Sequence, residues 1–247
     1  MTLPNESSLQ KLQFYVTASY SCGYLPDQIA QSLIASPQHL IDANVYGQLI
    51  QQGFRRSGKY AYRPHCEHCQ ACIPVRIILQ EFTASRSQKR AFKQHQNLTT
   101  TILPVAFYEE HYLLYTNYQK LRHADDNPDH DKKSAADETE QYKSFLCETN
   151  VESVLVEFRD RDQLKMVSII DIVHDGISAV YTFYDASDTK ASYGTYNVLW
   201  QINWALHLNL PYLYLGYWIE NSQKMRYKQN FQPLEKLAEG EWAVNKS

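Results

Sequence analysis

Residues 153–185 read SVLVEFRDRDQLKMVSIIDIVHDGISAVYTFYD, and the way this stretch divides decides the fold. Two clusters of turn residues, DRDQ and HDG, cut it into three runs rich in Val, Ile, Phe and Tyr. Each run is strand-length and bounded by residues that favour turns. Runs joined by connections this short pair as an antiparallel meander.

Working outward, TYNVLWQINWALHLN (195–209) carries Leu199, Ile202 and Leu206 at helical spacing. YLYLGYWI (212–219) reads as a further strand, and Asn221 or Ser222 is placed to cap a closing helix in SQKMRYKQNF. Upstream, residues 27–52 read as mostly helical, with a break at Pro37 and Asp42 as N-cap of a helix carrying Val45, Leu49 and Ile50. GFRRSGKYAYRP reads as a turn region, VRIIL and TILPVAF as strands, and residues 107–123 as an amphipathic helix. Residues 124–141 form a polar, charged loop, and a helix follows over 138–147. The expected class is α/β (α+β), a mostly antiparallel sheet flanked by helices. The order of antiparallel strands, helix, strand and helix resembles the core of GNAT-type acyltransferases. Three parts are expected: residues 1–95 with the cysteines and a basic helix, a core over 96–240, and a tail over 241–247.

The chain has 247 residues, a formal net charge of −3, 44% hydrophobic and 21% charged residues. These are the proportions of an ordinary globular protein. No run of apolar residues is long enough to span a bilayer, and the first residues lack the basic-then-apolar order of a signal peptide, so a cytoplasmic protein is expected. Five cysteines, an odd number with three in one cluster, fit a reducing compartment. The charge is unevenly placed. From Arg55 to Lys93 there are nine Lys/Arg against two acids, Glu67 and Glu81. Arg86, Lys89, Arg90 and Lys93 fall at i, i+3, i+4 and i+7, one stripe on a helix that Ser85 or Ser87 can cap. With Arg55 and Arg56 they form a candidate surface for a nucleic-acid backbone.

Cys66, Cys69 and Cys72 make C-x2-C-x2-C, and Cys22 stands apart in SYSCGYL. Such thiolates can ligate zinc or an iron–sulfur cluster, with Cys22 as the fourth ligand and His65 or His68 as a substitute for zinc. They can equally pack as plain thiols between Pro64 and Pro74. The chain has no G-x-G-x-x-G after a strand, no G-x4-GK[ST], no H-E-x-x-H and no G-x-S-x-G. It also lacks the R/Q-x-x-G-x-G/A turn that grips a coenzyme A pyrophosphate. An acyltransferase layout without its usual acyl carrier points to another activated donor. An aminoacyl-tRNA meets the need: its ester is already activated, basic residues suit its backbone, and the 19 tyrosines suit unpaired bases at a 3′ end.

FRRSGKYAYRPHCEHCQACIPVRI and YLYLGYWIENSQKMRYKQNFQPLE resemble the arginyl-tRNA–protein transferase family, in its bacterial leucine-transferring branch. GYLPDQIA, IDIVHDGISAVYTFYD and GTYNVLWQINWALHLNLPYLYLGYWI extend the resemblance over most of the chain in the expected order. The resemblance implies a GNAT-like core and transfer of leucine from leucyl-tRNA to the α-amine of proteins beginning with Asp or Glu, which marks them for degradation. It implies no cofactor for the chemistry itself; cysteines of eukaryotic relatives can hold an iron–sulfur cluster. Asp171, Lys224 and Tyr217 are the expected catalytic residues, with Asp171 holding or deprotonating the ammonium. Arg76, Lys224 and Lys228 are the expected partners of the acceptor's carboxylate. Tyr62, Tyr227 and Trp218, with Tyr217, are expected to wall the aminoacyl end. Other readings are an arginine donor, a metal-bearing RNA-binding module without catalysis, and an acetyl-CoA-dependent N-acetyltransferase.

Overall fold

A computed structural model describes residues 8–122 and 135–244. The chain first lays down β1 (Gln13–Val16), the short pair β2 (Tyr20–Ser21) and β3 (Ile29–Ala30), β4 (Ser32–Ser36), α1 (Ala43–Gln51), β5 (Arg55–Ser57) and β6 (Tyr60–Pro64). It continues through β7 (Ile73–Ile78), α2 (Arg86–Gln94), β8 (Thr99–Pro104), α3 (Glu109–Arg122), α4 (Ala135–Tyr142), β9 (Ser153–Asp160), β10 (Gln163–Val173) and β11 (Gly176–Tyr184). Last come α5 (Tyr193–His207), β12 (Tyr212–Trp218), α6 (Gln223–Arg226), β13 (Leu234–Ala238) and β14 (Glu241–Val244).

The expected meander is present. β9, β10 and β11 pair antiparallel, Ser168 facing Val156 on one side and Thr182 on the other. The full sheet has eight strands in the order β14-β13-β7-β12-β11-β10-β9-β8. Among the described residues, β11–β12 is its one parallel pair. α5 makes that crossover, since a parallel return needs a long connection. β10 is apolar on both faces because both are covered. Met166 and Ile170 join Tyr196, Leu199 and Ile202 of α5 in one core, while Val167 and Ile169 meet Tyr142 and Leu146 in another.

A second sheet, β1-β4-β6-β5, packs with α1 in a third core that contains Val45, Leu49, Phe54, Ala61 and Tyr214. Asp42 caps α1 as expected, accepting from the Val45 N–H at 2.8 Å. Ser85 caps α2 through a reciprocal capping box with Gln88. The mostly helical reading of 27–52 is corrected, because β3 and β4 occupy 29–36 and only α1 is an α-helix there. GFRRSGKYAYRP is a β-hairpin and not a bare turn. Gly58, at φ +58, sits where a Cβ would lie 2.2 Å from the Ser144 carbonyl. Residues 135–141, expected in the loop, belong to α4, which runs into a wider turn over Lys143–Cys147. The rest of that loop, 124–134, lies outside the described residues. The closing helix is a single turn, α6, then a tighter turn over Tyr227–Asn230, and Ser222 makes no side-chain cap.

The sheets do not divide at residue 95. β7 lies between β12 and β13, and α2 packs its buried Ala91 toward the side of the sheet that α5 covers. Residues 241–244, expected in a tail, form β14 and pair with β13.

Candidate active site

The site begins where two strands part. β11 and β12 pair from Gly176 opposite Tyr212 to Ser178 opposite Tyr214 and no further. Just beyond, each strand also slips against its other neighbour. β11 shifts register on β10 around Val180, and β12 shifts on β7 around Leu215. Irregularities of this kind leave main-chain groups without ladder partners. Arg55, on β5, fills the gap: Nη2 donates to the Ala179 carbonyl at 2.6 Å and the Val180 carbonyl at 3.1 Å, and Nη1 donates to the Leu215 carbonyl at 3.3 Å. Gly216 has φ +75, and a Cβ there would lie 1.4 Å from Arg55 Nη1. Only glycine gives the guanidinium this place.

A cavity of about 1520 Å³ opens at the splay, lined by Arg55, Tyr62, Tyr217, Lys224, Tyr227 and Lys228 among others. These are the expected site residues that the fold brings together. Lys228 is 4% exposed; its Nζ donates to the Tyr217 carbonyl at 2.5 Å and contacts Met225 Sδ at 3.1 Å. Burial, and then the Arg55 charge, hold its pKa well below the ordinary lysine range. The buried Tyr217 hydroxyl donates to the Gly53 carbonyl at 3.0 Å and the Tyr62 carbonyl at 3.3 Å. Burial raises its pKa well above that of a free phenol, so the group stays protonated.

Cys22, Cys66, Cys69 and Cys72 line the same cavity, which brings the distant Cys22 to the side of the cluster. None is joined in a disulfide among the described residues, and all are partly buried. Burial, then Cys22, Cys66 and Cys69, push the Cys72 thiol up to about 12, the reverse of an activated nucleophile. Among the described residues no group of three or more His, Cys, Asp or Glu is arranged to hold a metal ion.

Other expected site residues sit elsewhere. Asp171 is 0% exposed and does not line the cavity. Arg56 clasps it, Nε to Oδ2 at 2.8 Å and Nη2 to Oδ1 at 2.6 Å, and Ser153 donates to Oδ1 at 2.6 Å. This corrects the placement of both: a buried ion pair ties β5 to β10, and Arg56 presents no charge to a nucleic acid. Arg76 is engaged by Glu235 at 2.6 Å and lies between the rings of Tyr212 and Trp242, 3.7 and 4.4 Å from their centroids, so it does not reach the cavity. Trp218 packs in the core with the Lys236 ammonium 3.8 Å from its ring centroid. Arg86, Lys89, Arg90 and Lys93 are exposed on α2, away from the cavity lining.

Sequence reasoning missed one flank. The N-terminus of α5 opens on the cavity at Ser192–Thr195. Ser192 takes a left-handed φ of 57 and caps nothing with its side chain. Behind it runs a buried polar chain: Thr182 donates to Asn197 Oδ1 at 3.1 Å, as does Gln201 Nε2 at 2.5 Å. Gln201 Oε1 is buried with no hydrogen-bond partner among the described residues. The available signal was a pair of amides, Asn197 and Gln201, at i and i+4 on an otherwise apolar helix face.

Among the described residues, the mostly antiparallel sheet splays at its one parallel pair and holds a basic, tyrosine-lined cavity there, the α/β layout expected from the strand order. Residues 20–90 match the family model described as arginine-tRNA-protein transferase, N terminus, and residues 110–238 match its C terminus. The chain belongs to the arginine-tRNA-protein transferase family. It is 62% identical over 242 residues to an aspartate/glutamate leucyltransferase of Methylobacillus flagellatus, covering 98% of this chain and 95% of that one. Relatives of the same name from Polynucleobacter asymbioticus and Thiobacillus denitrificans are 50% and 52% identical, covering 98% and 97% of each chain. Among solved structures, that of L-PGS from Bacillus licheniformis overlaps at a TM-score of 0.43 and 11% identity, covering 61% of this chain and 48% of that one. That overlap is too low to bear on the function, and the fold class rests on the strand order.

Proposed function

We propose that this chain transfers leucine from leucyl-tRNA to the N-terminal α-amine of proteins beginning with Asp or Glu. The observation that carries the reading is identity of up to 62% along nearly the whole chain to aspartate/glutamate leucyltransferases. The amine nitrogen attacks the carbonyl carbon of the leucyl ester. An amide bond forms, the ester C–O bond breaks, and the terminal ribose hydroxyl leaves carrying the proton that the amine gives up. A free α-amine has a pKa of about 8, so a useful fraction is neutral at cellular pH and no covalent nucleophile is needed. The protein's task is placement of ester and amine, which can supply several powers of ten in rate.

In this reading Tyr62, Tyr217, Lys224, Tyr227 and Lys228 hold the reacting ends in the cavity. The exposed stripe Arg86, Lys89, Arg90 and Lys93 meets the tRNA backbone. The reaction needs no cofactor, and no step passes through the cysteines. The substrate supply is that of the cytoplasm, and the leucine-extended product is marked for degradation. No helix among the described residues is long and apolar enough to cross a membrane.

Mass spectrometry of an Asp-starting peptide after incubation with the protein and a total charged tRNA pool tests the reading. A gain of one leucine is expected. A gain of arginine overturns the donor. No gain, with tRNA bound, overturns the transfer in favour of an RNA-binding module. Acetylation on adding acetyl-CoA overturns the donor class.

A further inference from the structure

We infer that Arg55 reads the first side chain of the acceptor, its guanidinium receiving the Asp or Glu carboxylate at the splay of β11 and β12. The inference rests on the leucine-transfer reading and names the specificity-determining residue within it. Arg55 differs from the other inward arginines. Arg56 is paired with Asp171, Arg76 with Glu235, and Arg159 with Glu110 and Glu157. Among the described residues Arg55 has no carboxylate within ion-pair distance, and its acceptors are three main-chain carbonyls. A guanidinium has five N–H donors, so donors remain that no acceptor among the described residues takes up. A partly buried cation fixed by carbonyls but left without a counter-ion is built to receive one.

Its surroundings select the anion. The cavity wall carries Arg55, Arg63, Arg122, Lys224 and Lys228 against one acidic side chain, Asp188. Two kinds of anion enter with the substrates: phosphates of the tRNA 3′ end and the acceptor's carboxylate. Arg122 and Lys224 are exposed, on the rim, where a strand continuing on both sides of each phosphate can pass. Arg55 stands against Gly216 at the parting of the strands, among Tyr24, Tyr46, Tyr62 and Tyr217. A carboxylate at the end of a side chain can reach such a place, and a diester within a chain cannot. Lys228 lies close enough for Arg55 to disfavour its charge. A bound carboxylate relieves that repulsion.

The test uses the full chain with uncharged tRNA and four peptides differing only in a first residue of Asp, Glu, Asn or Gln. Their equilibrium binding is measured beside kcat/KM for leucine transfer. Wild type is expected to prefer Asp over Asn by about 100-fold, the scale of leaving a desolvated charge unpaired. Arg55→Gln brings Asp and Asn within about threefold, with the KM for leucyl-tRNA unchanged. Arg55→Lys keeps an intermediate preference, since charge remains while the fork is lost. A merely structural role lowers all four peptides together and leaves the ratio intact; that result overturns the inference. A raised KM for leucyl-tRNA with an intact ratio assigns Arg55 to a phosphate and also overturns it. Should Arg55→Gln not fold, Arg55→Lys decides alone: a roughly tenfold fall in the ratio supports the inference, and an unchanged ratio overturns it. Carboxylate-dependent binding without transfer sinks the leucine-transfer reading and leaves the carboxylate site standing.

Discussion

Asp171→Ala is expected to be a stability defect that leaves the chemistry intact. Both carboxylate oxygens are taken by Arg56, at 2.6 and 2.8 Å, with Ser153 adding a third bond. Side-chain exposure is 3% for Arg56 and 0% for Asp171. Removing the acid strands a guanidinium where water cannot replace its partner, and breaking a buried pair from one side costs about 3–5 kcal/mol. A chain of this size loses roughly 2–4 °C of Tm per kcal/mol, so a fall of about 6–20 °C is expected. Urea unfolding followed by circular dichroism should show a lower midpoint at an unchanged slope. The double variant Arg56→Met with Asp171→Leu should regain much of the loss, because apolar replacement of both partners removes the stranded charge. Leucine transfer per folded molecule should stay within a few-fold of wild type at a temperature where the variant is folded. An undiminished Tm together with a transfer rate down by orders of magnitude would refute this reasoning and restore Asp171 to the chemistry.

Replacing Arg86, Lys89, Arg90 and Lys93 with Glu should weaken tRNA binding and flatten its salt dependence by about 0.7–0.9 in log–log slope for each phosphate no longer neutralised; filter binding across salt concentrations reads this, and an unaltered slope counts against the stripe. Lys228, whose pKa is depressed by burial and by Arg55, binds fewer protons folded than unfolded. Stability should therefore rise as pH climbs from the depressed value toward the ordinary lysine value of about 10.4. Lys228→Met should remove that slope on the alkaline side, below the ordinary lysine value, seen by denaturant titration at several pH values. Gly216→Ala should lose about 1–2 kcal/mol from the positive φ alone and displace Arg55, so kcat/KM for an Asp-starting peptide should fall more than the melting temperature explains.

The elements that the sequence declared were those whose signals are local. The meander is bounded by its own turns, α1 by Asp42, and α2 by the Ser85–Gln88 box. β4 was hidden because SLIAS has no clean alternation and abuts Pro37; its pairing partners, β1 and β6, lie outside any local window. β13 and β14 were missed although Glu239 and Gly240, both at positive φ, make the two-residue turn between them. The site divided along the same line. Cys22, Tyr62, Tyr217, Lys224, Tyr227 and Lys228 were legible as types in motifs and do meet. Which of two adjacent arginines finds an acid was not legible. Arg56 reaches a carboxylate 115 positions away while Arg55 reaches only carbonyls, and that choice follows from strand alternation and the splay, both tertiary facts.

The position of β7 sets a timetable for synthesis. Its two neighbours, β12 and β13, emerge from the ribosome long after it does. At about 5–20 residues per second, roughly ten to thirty seconds pass before Ile73–Ile78 has a strand on either side. During that interval both its edges are open, and Val75 and Ile77, fully covered at the end, lack the strands that come to flank them. Open apolar edges invite pairing with other chains. Slowing translation late in the message, before β12 and β13 are made, should therefore lower the yield of soluble protein more than slowing it early.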